Sequence, residues 1–185
     1  MKQAAYGFAL FVFLALPPVA RFLESVMIMH MHMQMPLLVI AGYMMARYFQ
    51  LWFPGFLAKW NGNGIPGIVL FSIVVMYWNL PRAMDESLEL AGSELFKFVS
   101  LTFLAGLPLR DSWQKVGYAC RSTVFIGYMA ISVALGLLYT IAPVQLCNNY
   151  LLIEQITLGW GFLTTAICMA VYVVYRLMIR HSEYE

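Results

Sequence analysis

Along the 185 residues, long apolar runs alternate with short polar breaks. A helix that crosses a bilayer needs about 20 predominantly apolar residues. Six stretches meet that length: roughly 4–20, 26–49, 65–83, 90–109, 117–142 and 150–179. The breaks between them carry the expected punctuation: Pro17-Pro18 with Arg21 and Glu24, Lys59 to Gly64, Arg82 to Glu89, Arg110 to Lys115, and Pro143 to Asn149. The runs are continuously apolar and lack period-two alternation, so helices are expected rather than a barrel. The pattern predicts an all-α, polytopic transmembrane bundle of six helices, forming a single domain over residues 1–185. The first run follows Lys2 and has the outline of a secretory signal peptide. Its Pro17-Pro18-Val19-Ala20 end suits a peptidase poorly, which favours a retained helix.

Loop charges supply a direction, because short cytoplasmic loops collect Lys and Arg. With the N-terminus inside, Lys2, Arg47, Lys59, Arg110, Lys115, Arg121, Arg176 and Arg180 fall on the cytoplasmic side. Only Arg21 and Arg82 fall opposite, with Lys97 inside a helix. Both termini are therefore expected in the cytoplasm of a cell whose inner (plasma) membrane holds the chain.

Composition agrees. Hydrophobic residues make up 62% and charged residues 11%, with a mean hydropathy of +0.76. A soluble domain carries about 25% charged residues, and a lipid-facing exterior removes that need. A net charge of +2 without a basic, aromatic-interleaved patch excludes a nucleic-acid partner. Three cysteines lie far apart, so no disulfide framework is implied. Cys120 and Cys168 sit in apolar runs and are expected to be buried, while Cys147 lies in a polar break and is expected to meet solvent. The chain has no GxSxG, HExxH, P-loop or dinucleotide fingerprint, and an enzyme is not expected.

The predicted direction gathers the unusual polar residues in the outer half. The foremost segment is Met27 to Met35, MIMHMHMQM, in which Met27, Met29, Met31, Met33 and Met35 alternate with His30, His32 and Gln34. Thioether and imidazole are donors suited to Cu(I). At 100° per residue, His30 shares a helix face with Met27, Met31, Met33 and Gln34, whereas His32 points away with Met29 and Met35. One straight helix cannot direct both histidines to one ion. Pro36 removes a helix bond to the His32 carbonyl and can kink the segment. Glu154 opens the last helix, where it can join a metal site or cap the helix. Glu94 and Lys97, three residues apart, can neutralise each other. Asp85, Glu86 and Glu89 read as a solvated acidic loop.

The run HMHMQMPLLVIAG, His30 to Gly42, resembles the CtaG family of cytochrome c oxidase assembly proteins. There a helix opens with a His-Met-x-Gln-His type motif and a Pro-Leu-Leu element. Glu154-Gln155 with Leu158-Gly159-Trp160 is similar to the Asp-Gln and Gly-Trp elements of that family's last helices, with Glu in place of Asp. Here His30 and His32 are two apart, and Gln34 stands where a second His is expected. The resemblance implies copper delivery or insertion on the outer membrane face during oxidase assembly.

The leading expectation is a membrane protein that binds copper, as Cu(I), through His30, His32, Met27, Met31, Met33 and Met35, with Glu154 completing or gating the site. Its partners would be the bilayer and either respiratory oxidase subunits or a periplasmic copper donor. The alternative is a non-catalytic subunit or scaffold of a larger respiratory or transport complex, with close helix contacts at Gly127, Gly136, Gly159 and Gly161. A small transporter lined by Glu94, Lys97 and Glu154 is a third reading.

Overall fold

A computed structural model describes residues 2–182, all-helical among the described residues, with side chains described through Ile179. Met1, residues 183–185 and the side chains of Arg180, His181 and Ser182 lie outside this set. Helices occupy each of the six apolar runs. The first run is α1 (Lys2–Ala15) and α2 (Pro17–Glu24), bent by 71° where Pro17 begins a new helix. The second is a continuous stretch of α3 (Met27–Met29), a π-helical turn His30–Gln34 and α4 (Met35–Trp52). A short α5 (Pro54–Trp60) meets α6 (Ile65–Trp78) at 85°. Next come α7 (Pro81–Glu89) and α8 (Ala91–Val99), which runs through a second π turn, Ser100–Gly106, into α9 (Leu107–Trp113). The α7 to α8–α9 bend is 118°. An antiparallel hairpin of α10 (Tyr118–Ile141) and α11 (Leu152–Ser182) ends the chain.

Two helices, α10 and α11, are individually long and apolar enough to cross a membrane, and bent pairs raise the total to as many as five. The Met27–Trp52 stretch has the length but carries His30, His32, Gln34, Arg47 and Gln50. These apolar helices fit a membrane protein in contact with lipid.

Proline explains both π turns. Pro36 and Pro108 follow them by two residues and have no N–H to return to the preceding turn. The chain widens instead of kinking sharply: Met35 N–H donates to the His30 carbonyl and Leu107 N–H to the Thr102 carbonyl, both five residues back. Beside the turns, backbone meets backbone. A Cβ on Gly42 would collide with the Thr102 carbonyl oxygen, and one on Gly106 with the Val39 carbonyl oxygen. Glycine at these two positions lets the helices cross close enough to align what the π turns carry. Leu38, Leu101, Trp78, Met84, Tyr139 and Phe162 pack around this crossing in one core.

Candidate functional site

The side chains of greatest chemical interest meet at the end of the bundle that holds the α2–α3 junction and the 142–151 loop. Four segments contribute: Glu24 ends α2, His30 and Gln34 lie on the first π turn, Lys97 comes from α8, and Tyr150 from the loop before α11. Lys97, His30 and Gln34 are fully buried. Lys97 Nζ donates to Glu24 Oε1 at 2.6 Å and contacts His30 Nε2 at 3.0 Å. Gln34 Nε2 donates to the same Glu24 oxygen at 3.0 Å. On the far side of the imidazole, His30 Nδ1 lies 2.9 Å from the Tyr150 hydroxyl, which donates to the Glu24 backbone carbonyl at 2.7 Å.

These bonds fix the histidine tautomer. The single Tyr150 proton goes to the Glu24 carbonyl, so the phenol oxygen accepts from His30 Nδ1–H. A neutral imidazole then presents its Nε2 lone pair, and the Lys97 ammonium occupies it. Tyr150 lies outside the helices, and burial raises its phenol above its ordinary range, with the Glu24 carboxylate adding to the effect, so it stays a proton donor.

The predicted ligands divide. Met27, Met31 and Met35 recur every fourth residue and are buried in the same core as the His30 turn. Met33 is exposed. His32 points elsewhere, as the helical geometry predicts, but Met33, expected beside His30, is the exposed one and Met35, expected on the His32 side, lies in the core, because the π turn shifts the register. His32 packs edge-on against Phe162, 4.6 Å between ring centroids, and lies beside Gly161, while its Nδ1 is buried without a partner among the described residues. Glu154 accepts from Leu151 N–H at 3.0 Å, which is the capping role. Among the described residues, no three His, Cys, Asp or Glu side chains converge into a metal-sized group.

Three sequence expectations change. Lys97 pairs with Glu24, 73 positions away, and not with Glu94, because the 118° bend turns α8 back toward the end of α2. Asp85 is nearly buried on α7: its Oδ2 accepts from Asn148 N–H at 2.7 Å and draws the 142–151 loop inward. Cys147 is consequently buried, whereas Cys168 lies exposed on α11. Burial and the Asp85 carboxylate push the Cys147 thiol up to about 12. Gln155 secures the loop by accepting from Leu146 N–H at 2.7 Å.

Glu24 and Tyr150 are the site residues missed by sequence reasoning. Glu24 reads as loop punctuation and Tyr150 as an interfacial aromatic. Their signal is that both fall at the polar end where the loop charges place His30 and Lys97.

A second polar cluster closes the opposite end. Asp111 accepts from Gln50 at 3.0 Å, from Asn61 at 2.7 Å and from Lys115 at 2.6 Å. Asn61 also donates to Ser112 at 2.9 Å and accepts from Gly67 N–H at 3.0 Å. Arg110 reaches Gln3, which brings the start of α1 to this end. His30 and Gln50 lie on one helical stretch, which separates the two clusters by roughly 30 Å at 1.5 Å per residue.

No family model, curated protein or solved structure matches the chain.

Proposed function

We propose that the chain is a six-span inner-membrane protein with both termini in the cytoplasm, and that it holds Cu(I) in the outer half of the bundle for delivery to a respiratory oxidase or another copper client. The observation that carries this reading is the posture of His30. Its Nδ1–H is tied to a fixed oxygen, and its Nε2 lone pair is presented to a cation in a dry interior. Metal-binding imidazoles are held in this way, with the second nitrogen anchored. Met27, Met31 and Met35 supply thioethers in the same core, and such donors select Cu(I) over harder ions. The copper set is then His30 with Met27, Met31 and Met35, while His32, Met33 and Glu154 stand apart from it.

The test is Cu(I) competition against a chelator of known affinity on detergent-purified protein. One ion per chain is expected, lost in His30→Ala and in a Met27→Leu/Met31→Leu variant, and kept in His32→Ala. A wild-type protein that leaves all copper with the chelator would sink the proposal.

A second reading, as a non-catalytic subunit, draws on the groove between α6 and α10. Phe71, Val75, Thr123 and Tyr128 line it, and Gly127 meets nothing within 4 Å. Uncovered glycine on a membrane helix suits a partner helix. Gly127→Leu should then release a co-purifying membrane subunit without changing copper binding.

A further inference from the structure

The Lys97 ammonium lies where the His30 Nε2 lone pair and a Glu24 carboxylate oxygen converge. It sits between Glu24 Oε1 and His30 Nε2, at 2.6 and 3.0 Å, with no exposed surface of its own. Next to it, Gln34 Oε1 is buried with no hydrogen-bond partner among the described residues, although Gln34 Nε2 is used. A carboxylate oxygen and an imidazole nitrogen thus hold one buried cation, and the amide whose nitrogen bonds the same carboxylate keeps its oxygen unpaired. Leaving an acceptor such as Gln34 Oε1 unpaired in a core is costly, so native proteins rarely do so without cause.

We propose that Lys97 is an internal cation that closes the His30 site and must leave it for a metal ion to enter. The inference rests on the reading of His30 as a metal-binding residue. An ammonium and a metal ion cannot share one lone pair, and two positive charges about 3 Å apart repel strongly away from water. Glu94, one turn earlier on α8, provides a second carboxylate that can receive the withdrawn ammonium. The His30 Nε2 lone pair then becomes available to the incoming ion, beside the Met27, Met31 and Met35 thioethers of the same core. Lysine suits this role better than arginine, because its compact charge rides on a flexible four-carbon stem. The site therefore refuses metal until the Lys97–Glu24 pair opens.

The experiment compares Cu(I) affinity, by chelator competition, in wild type, Lys97→Leu, Lys97→Arg and the double variant Glu24→Gln/Lys97→Leu. The double variant removes both charges together, so it keeps the fold if the single variant aggregates. Loss of the ammonium should raise affinity about tenfold or more, still dependent on His30. Lys97→Arg should lower it. If wild type binds copper and neither Leu-bearing protein binds it more tightly, Lys97 is no gate and the copper reading survives. If none of the four proteins binds copper, both readings fall.

Discussion

The two polar clusters use similar residues for opposite ends. Around Asp111 each group has its complement. Both carboxylate oxygens are engaged, Asn61 uses its donor and its acceptor, and the Asp111–Lys115 pair spans a single helical turn. The Lys97 cluster draws on four separate segments, its own α8 included, and one acceptor is left over. The first cluster is saturated, which is how a buried polar network secures a fold. The second keeps an unsatisfied atom and a displaceable cation, features that add little to stability and make sense in a site.

That contrast can be broken by substitution. The largest effect should come from Asn61→Leu, which unpairs the Gly67 N–H and the Ser112 hydroxyl and removes one donor to Asp111. We expect a loss of about 3 kcal/mol in thermal or chemical unfolding, with Cu(I) affinity unchanged. A smaller loss, about 1 kcal/mol, should follow Tyr150→Phe, because one hydroxyl disappears. Here copper affinity should fall several-fold as His30 loses its anchor, and equal affinity would show that Tyr150 orients nothing. Smaller still is the double variant Glu24→Gln/Lys97→Leu, which should unfold within about 1 kcal/mol of wild type, since removing both members of a buried pair is often neutral. A loss as large as that of Asn61→Leu would erase the distinction between the two ends. Least disruptive is a labelling measurement on Cys147. Its thiol, raised to about 12, stays protonated at pH 7–9, so maleimide should modify it only after denaturation.

That the apolar runs are helical was legible, because a 20-residue apolar run is a local signal; that α2, α5 and α7 would continue helix into the polar breaks was not. The divergence of His30 and His32 was legible too, since it follows from helical periodicity. The pairing of Lys97 was not, since Glu94 is three positions away and Glu24 is 73. Only the tertiary bend between α7 and α8 decides between them. Cys147 was misjudged for a similar reason. A polar loop is exposed by default, and nothing near residue 147 announces that Asp85 and Gln155 will pull it inward. Pro36 signalled a disturbance in the helix, but whether a helix answers proline with a kink or a π turn depends on how closely its neighbour packs, here through Gly42 and Gly106.

The Tyr150 hydroxyl reaches back 126 positions to the Glu24 carbonyl. During synthesis, Glu24, His30 and Lys97 leave the ribosome well before Tyr150 does. A nascent chain that stops short of the α10–α11 hairpin would hold its histidine and ammonium but could not set the imidazole's orientation. The α10–α11 hairpin thus completes the arrangement that α2 and the first π turn begin, so the imidazole is oriented only once that hairpin has formed.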